Sequence, residues 1–107
     1  MVFVAGQIGW DENQVIQTDS MAGQVKQTLQ NTVAVLAEAQ AESRHIVRMT
    51  WFITSRDEYL DQVKEIGRVW REIIGKHYPA MAVIEISALM ESKAKVEIET
   101  TAVIPST

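Results

Sequence analysis

Residues 46–54 read Ile-Val-Arg-Met-Thr-Trp-Phe-Ile-Thr, and Ser55-Arg56-Asp57-Glu58 follows them directly. The first segment alternates between two faces, which is the period of two that a β-strand shows. Ser55 and Glu58 have the spacing of a capping box, in which each side chain accepts a hydrogen bond from the backbone amide of the other residue. The stretch therefore predicts a strand that passes at once into a helix, and with it a fold of mixed α and β elements.

The same patterns continue outward in both directions. Residues 2–8 are rich in β-branched and aromatic side chains and predict a strand, while residues 18–41 carry apolar side chains three and four apart and predict an amphipathic helix. The helix that begins near residue 56 is predicted to end at Gly75. Two more alternating segments cover 81–86 and 95–103, and the short polar connection between them favours an antiparallel pair.

The order of elements is therefore β-α-β-α-β-β, which predicts one α+β domain over residues 1–107, with two helices on one face of a mixed sheet. Within the second helix we expect one buried stripe, formed by Leu60, Val63, Gly67, Trp70 and Ile74.

The predicted strands have one strongly apolar face and one mixed face. We expect the helices to cover Val2, Val4, Val47, Met49, Trp51, Ile53, Ala82, Ile84, Ile86, Val96, Ile98 and Ala102. The mixed face then carries Phe3, Ala5, Gln7, Arg48, Thr50, Phe52, Met81, Val83, Glu85, Lys95, Glu97, Glu99 and Thr101. No helix is left to cover this second face, so we expect it to pack against other copies of the chain; the alternative is an antiparallel sheet with one solvated face. Arg48 and Lys95 are the candidate partners of its carboxylates.

Composition excludes several classes of function. The chain has 107 residues, 10 basic against 14 acidic side chains, a net charge of −4 and no cysteine. The absence of cysteine excludes disulfides, thiol nucleophiles and cysteine-ligated zinc, and it favours a cytoplasmic protein. Scattered basic residues disfavour nucleic-acid binding, and no apolar run approaches the ~20 residues of a membrane span.

Local motifs identify no reaction by themselves. Gly6-Gln7-Ile8-Gly9 lacks the third glycine and the prompt helix of a dinucleotide fingerprint. His45 and His77 have no partner at a spacing typical of a metal site or a triad, so we predict no metal and expect both to serve at element ends. Glu97 and Glu99 share one strand face, as an acid/base pair would, although an exposed or ion-paired strand face produces the same pattern.

Five strings in the chain resemble the RidA family, which is also called YjgF/YER057c/UK114 and was formerly labelled endoribonuclease L-PSP and translation initiation inhibitor. They occur in the family's order and extend over essentially the whole chain. They are Val2-Phe3-Val4-Ala5-Gly6-Gln7-Ile8-Gly9, Gln27-Thr28-Leu29-Gln30-Asn31, residues 46–54, Tyr78-Pro79-Ala80 and residues 95–102.

The resemblance implies a chorismate-mutase-like fold that assembles as a homotrimer, with the sheets facing inward and ligand clefts between subunits. It also implies hydrolysis of reactive enamines and imines to ketoacids and ammonia, as in 2-iminobutanoate/2-iminopropanoate deaminases, without a cofactor. The expected partners are further copies of the chain and a small metabolite.

Carried over by residue, the resemblance indicates an arginine-less member of the family. The position of the arginine that grips the substrate carboxylate is Met81, the family's serine is Ala5 and its cysteine is Val83. The family's helix asparagine falls near Lys64, and a cleft tyrosine belongs to an N-terminal segment that we expect this chain to lack. Gly6 matches the family's backbone site, and Glu97 matches the carboxylate that positions the hydrolytic water.

Three functions remain open on this reading. The first is a metabolite-binding protein with weak or altered deaminase chemistry, in which Lys64, Arg48 or a residue of the neighbouring subunit holds an anion. The second is a non-catalytic trimeric regulatory or binding module. The third, which the older names suggest, is an endoribonuclease or translation inhibitor, and the net charge of −4 argues against it.

Overall fold

Four β-strands and three α-helices alternate along residues 1–106, the part of the chain that the computed structural model describes. In chain order they are β1 (Val2–Gln7), α1 (Met21–Glu38), β2 (Ile46–Ile53), α2 (Arg56–Asp61), α3 (Val63–Ile73), β3 (Ala80–Glu85) and β4 (Val96–Ala102), with a short 3₁₀ helix (Ser43–His45) before β2. The predicted α+β class and the positions of all four strands are confirmed.

Serine side chains begin the first two helices. Ser20 Oγ accepts a hydrogen bond from Gly23 N, and Ser55 Oγ accepts one from Glu58 N at 3.1 Å. The return half of the predicted capping box is wrong, because the Glu58 carboxylate instead accepts a 2.7 Å hydrogen bond from Lys95 Nζ. This ion pair ties the start of α2 to the chain just before β4.

The second predicted helix is two helices, which corrects the expectation of one continuous element. Gln62 separates α2 from α3 with φ −110° and ψ 15°, and its side-chain oxygen accepts a 2.8 Å hydrogen bond from Ala22 N at the start of α1. The predicted stripe is also wrong in part. Ile66, Val69, Trp70 and Ile74 are buried, whereas Leu60 and Val63 are exposed. The break changes the helical phase, so Val63 lies at the margin of the buried side.

The sheet order is β1-β4-β2-β3, which corrects the predicted antiparallel pair of the last two strands. β4 pairs antiparallel with both β1 and β2, and β3 pairs parallel with β2. A chain that returns through two helices comes back parallel to the strand it left, which is why β3 lies beside β2. The most buried apolar residues of the last two strands are Val96, Ile98 and Ala102, and β4 accordingly takes a central position.

The helices cover one face of this sheet and form the core with it. Met49, Trp51 and Ile53 of β2 are at most 2% exposed there. Val47, predicted on this face, is exposed instead, because a register shift between Ile46 and Arg48 turns it outward and leaves Ile46 buried.

The predicted orientation of β3 is wrong. Its register aligns Met81 with Met49, Val83 with Trp51 and Glu85 with Ile53, so these three residues face the helices, and Ala82 and Ile84 face the other way. The sequence did not fix this orientation because β3 is apolar on both of its faces. All six of its residues are exposed at the edge of the sheet.

The second face of the sheet is uncovered within residues 1–106, and we call it the open face. The strand registers place on it Phe3, Ala5, Arg48, Thr50, Phe52, Ala82, Ile84, Glu97, Glu99 and Thr101. Phe3 is 73% exposed there, and Ile84 is 45% exposed. Large apolar side chains are therefore mixed with charged ones over a broad, uncovered surface.

Candidate functional site

Glu97 and Gly6 lie together because β1 bulges. Between Val4 and Gln7, β1 has one more residue than the facing part of β4, so the chain bends around the Glu97 side chain. A Cβ at Gly6 would lie 2.8 Å from Glu97 Cδ, a distance that carbon atoms do not tolerate. Glycine at this position therefore lets the backbone and the carboxylate touch.

This pair forms one wall of a cavity of about 230 Å³, which we call the carboxylate pocket. Its lining residues are Gly6, Gln7, Ile8, Trp10, Leu89, Met90, Glu91 and Glu97. The expected partner Lys95 is bound to Glu58, and Glu85 accepts a hydrogen bond from Arg56 N. No hydrogen bond or ion pair to the Glu97 carboxylate occurs within the described chain, so its oxygens are available to accept from a water molecule or a ligand.

A second cavity of about 210 Å³ lies between α3 and the edge strand β3, and we call it the aromatic pocket. Its lining residues are Trp51, Tyr59, Val63, Ile66, Gly67, Trp70, Arg71, Tyr78, Pro79 and Met81. The Trp51 and Trp70 rings pack at 6.1 Å, and the Tyr59 ring stands perpendicular to Trp51 at 6.5 Å. Burial raises the pKa of the Tyr59 phenol, so it stays neutral at physiological pH.

Two hydrogen bonds fix one wall of the aromatic pocket, and a separate buried donor in the pocket is unpaired within the described chain. Trp70 Nε1 donates to the carbonyl of His77 at 3.1 Å, and the His77 ring nitrogen Nε2 lies 2.7 Å from the carbonyl oxygen of Ile46. These contacts hold the connection that brings Tyr78 and Pro79 to the pocket. Trp51 Nε1 is buried and has no acceptor among residues 1–106. A buried donor of this kind is satisfied when a small rearrangement gives it an acceptor.

The residues predicted for the site are divided between the β1–β4 side of the sheet and its β3 edge. Gly6 and Glu97 line the carboxylate pocket, and Ala5 precedes them on β1, in a shallow depression of the open face that Arg48 and Glu99 also line. Met81 lines the aromatic pocket, and Val83 follows it on β3.

In the sheet order, β4 and β2 lie between Gly6 on β1 and Met81 on β3, and β2 alone lies between Glu97 on β4 and Met81. These separations are three and two strand spacings, about 14 Å and about 10 Å. One chain therefore does not bring the predicted residues together. Lys64, predicted at the helix asparagine, is exposed in the first turn of α3 and does not line the aromatic pocket.

Sequence reasoning missed Tyr59, Gly67, Arg71 and Tyr78 as pocket residues. Gly67 was placed on a buried stripe, Tyr78 was noted only as part of a string that resembles the family, and Tyr59 was not singled out. The signal in the sequence is Gly67 four residues before Arg71, because side chains four apart on a helix are neighbours and a glycine leaves room for the longer one. His45 and His77 were expected at element ends, and their ring nitrogens do contact backbone there.

No cluster of three metal-ligating side chains is present in the described part of the chain. In the same part, no helix is long and apolar enough to cross a bilayer.

A four-stranded mixed sheet with its helices on one face, a bulged first strand and a glutamate against that bulge define the class to which this molecule belongs. It is a two-layer α+β class, and it agrees with the chorismate-mutase-like fold that the resemblance to the RidA family implies.

Comparison with known proteins identifies the family within that class. The model of the family described as Endoribonuclease L-PSP matches residues 1–104. Protein DfrA of Myxococcus xanthus is 34% identical over 96% of this chain and 76% of its own length. Two solved structures are also similar. YyfB of Yersinia pestis, from the conserved Rid protein family, is 25% identical with a TM-score of 0.83, over 96% of this chain and 77% of that one. Rv2704 of Mycobacterium tuberculosis, from the YjgF/YER057c/UK114 family, is 27% identical with a TM-score of 0.76, over 95% and 77% of the two chains. The chain therefore belongs to the endoribonuclease L-PSP family, the RidA-like family that its sequence resembles.

Proposed function

We propose that this protein forms a homotrimer and binds a small metabolite in clefts between its subunits. The observation that carries the proposal is the division of the predicted site residues between the β1–β4 side of one sheet and its β3 edge. Gly6 and Glu97 lie on the β1 side, and Met81 and Val83 lie on the β3 edge. In an assembly where the β3 edge of one copy meets the β1 side of the next, the two groups face one another.

The open face supports the assembly. Phe3, Phe52 and Ile84 interrupt a polar surface with apolar side chains, and a second copy would remove them from water. Arg48 and Glu99 line the same depression without a recorded ion pair between them among residues 1–106, so partners of opposite charge on a neighbouring copy would suit both. Such a trimer would operate in the cytoplasm, as the absence of cysteine favours.

Glu97 defines the chemistry that such a cleft would support. A carboxylate without an ion-pair partner beside a bulged backbone is suited to hold a water molecule for attack on a C=N carbon. The water oxygen would become the carbonyl oxygen, and the imine nitrogen would take up both hydrogens of the water and leave as ammonia. Met81 argues against deaminase rates like those of arginine-containing relatives, because a thioether cannot hold a carboxylate through paired hydrogen bonds. Binding is therefore the function that the residues support best.

A non-catalytic regulatory module is the second candidate. The observation in its favour is that Ala5, Met81 and Val83 are all apolar where the resemblance implies polar side chains. Ribonuclease activity ranks last, because an acidic chain with scattered basic residues lacks the cationic surface that RNA binding uses.

Thermal shift measurements with short 2-oxo acids, together with ammonia release from 2-aminoacrylate generated in situ, test the proposal. We expect at least one 2-oxo acid to raise the Tm of the wild-type protein, because a ligand that binds only the folded state stabilises it. Ammonia release should stay well below that of an arginine-containing relative and should fall further in Glu97→Gln but not in the surface control Glu38→Gln.

A panel in which no acid changes the Tm would favour the non-catalytic module instead. Ammonia release equal to that of the arginine-containing relative would contradict the role assigned to Met81.

A further inference from the structure

Arg71 is the one charged residue that lines the aromatic pocket within the described chain. The other nine lining residues are apolar, aromatic or glycine, and none carries a carboxylate. In such surroundings a single guanidinium sets the charge preference of the whole pocket, because nothing nearby offsets it.

Gly67 allows Arg71 to reach this position. The two residues are four apart on α3, and helical side chains lean toward the N-terminus, so Arg71 lies over Gly67. A Cβ built on Gly67 would be 3.5 Å from Arg71 Nη1, which shows the guanidinium directly above the glycine. A larger side chain at residue 67 would displace the guanidinium from the helix surface and from the pocket.

Arg71 also has no ion-pair partner among residues 1–106, unlike the charged residues near it in sequence and space. Arg68 is paired with Glu65 one turn earlier, and Lys26 is paired with Glu72. Within residues 1–106, Arg71 forms no ion pair and donates no recorded hydrogen bond. Its planar fork is therefore available to a ligand, and that fork matches the geometry of a carboxylate.

The size and walls of the pocket indicate the rest of the ligand. The volume of about 210 Å³ is modestly larger than the ~150 Å³ of an apolar cavity that holds benzene. The walls include the rings of Trp51, Tyr59, Trp70 and Tyr78, and Met81 adds a polarisable thioether. A group about the size of one aromatic ring fits this space.

We propose that the aromatic pocket binds a small monocarboxylate with one ring-sized apolar group, and that Arg71 holds its carboxylate. Arg71 would then supply from α3 the anion contact that Met81 cannot supply from β3, with Met81 packing against the apolar group instead. The inference rests on the proposed metabolite-binding function and gives that function a ligand class. It predicts selectivity for larger apolar acids over acetate.

Isothermal titration calorimetry with phenylacetate and its uncharged analogue phenylacetamide tests this inference on the full chain. We expect the wild type to bind phenylacetate more tightly than phenylacetamide or acetate. Arg71→Gln should weaken phenylacetate binding by about tenfold, because a hydrogen bond to a charged group is lost, and leave phenylacetamide binding almost unchanged. Arg71→Lys should bind phenylacetate with an affinity between those of the wild type and Arg71→Gln, because lysine keeps the positive charge but lacks the planar guanidinium. Arg68→Gln, on the same helix, is the matched control and should bind as the wild type does.

Phenylacetate that fails to bind the wild type, binds no better than phenylacetamide, or binds Arg71→Gln as well as it binds the wild type would overturn the inference. Light scattering on the same samples separates this outcome from failure of the proposed function. A trimer whose acid binding is independent of Arg71 contradicts the inference alone. A monomer that binds phenylacetate through Arg71 contradicts only the intersubunit cleft.

Discussion

Adding a methyl group at different glycines of this chain has different energetic costs, and the atoms that surround each glycine explain why. At Gly6 an added Cβ would meet the far end of the Glu97 side chain, which can rotate away. At Gly9 it would meet the backbone of α1, with Gln24 O at 2.8 Å and Gln24 Cα at 3.0 Å. A backbone held in a helix cannot yield as a side chain does, so the cost of a methyl group differs between the two sites.

We expect Gly9→Ala to lower the free energy of unfolding by about 2 kcal/mol, because the β1 end and α1 must separate to admit the methyl group. Gly67→Ala is the matched control. There the new Cβ meets only Arg71 Nη1 at an ordinary 3.5 Å, and replacing a helical glycine with alanine stabilises a helix by up to about 1 kcal/mol. Urea unfolding of both variants measures the difference. Equal destabilisation by the two substitutions would contradict the packing at Gly9.

At the scale of single residues, the structure brings two of the predicted site residues together and turns another to the opposite face of the sheet. Gly6 and Glu97 were matched by resemblance, and the structure brings them into contact. Met81 was assigned to the mixed face, but it faces the helices. Alternation predicts that a strand has two faces, but it does not determine which face is buried when both are apolar, as they are in β3.

At the scale of elements, one buried amide joins three segments of chain. Gln24 on α1 is fully buried, and its Nε2 donates to the carbonyls of Thr18 and Lys93 at 3.0 Å each. Its Oε1 accepts from Lys95 N at 2.7 Å. The approach to α1, the connection after β3 and the residue before β4 therefore depend on one side chain.

We expect Gln24→Ala to lower the free energy of unfolding by about 2–4 kcal/mol, because it removes three partly buried hydrogen bonds at once. Gln30→Ala, at an exposed position of the same helix, should change it by less than about 0.5 kcal/mol. Urea unfolding followed by circular dichroism compares the two. A similar small loss in both variants would show that Gln24 does not hold these segments.

The turn before α1 makes a contribution to stability that depends on pH. Gln17 Nε2 donates to the Asp11 carboxylate at 2.8 Å, as does Val15 N at 3.1 Å, and these hydrogen bonds lower the pKa of Asp11. A pKa that is lower in the folded state than in the unfolded state gives stability that is present above the unfolded pKa. That stability is lost as the pH falls through the folded pKa.

Asp11→Asn should therefore destabilise the protein at pH 7 and have little effect below the folded pKa of Asp11. Thermal unfolding at pH 7 and at a series of lower pH values measures this, with Glu12→Gln at the neighbouring exposed position as the control. A loss of the same size at every pH would indicate that the carboxylate charge plays no part in the turn.

The elements were predicted well and their pairing was not, for a physical reason. Capping serines and apolar periodicity act within a few residues, and they located α1, β2 and the start of α2 from the sequence. The order β1-β4-β2-β3 depends on which strand buries the most apolar surface and on how the helices return the chain, and both are tertiary effects. The break at Gln62 is likewise set by a partner 40 residues away, the start of α1.

At the scale of the whole molecule, the open face is the feature that a single chain does not explain. It leaves Phe3 at the sheet edge and Ile84 on β3 in water. Within one chain, β2 also lies between Glu97 on β4 and Met81 on β3. Assembly through this face would shield the apolar residues and complete the cleft. The substitution Phe3→Asp should therefore dissociate the assembly, because burying an unpaired carboxylate at an interface is costly. Leu60→Asp, an equal change at an exposed site on α2, should leave the assembly intact.

The mass of the protein in solution, measured by multi-angle light scattering, tests the central claim most directly. We expect a particle of three times the 12.0 kDa mass of the chain for the wild type and for Leu60→Asp, and a smaller particle for Phe3→Asp. A wild-type protein that stays at 12.0 kDa at micromolar concentration would contradict it.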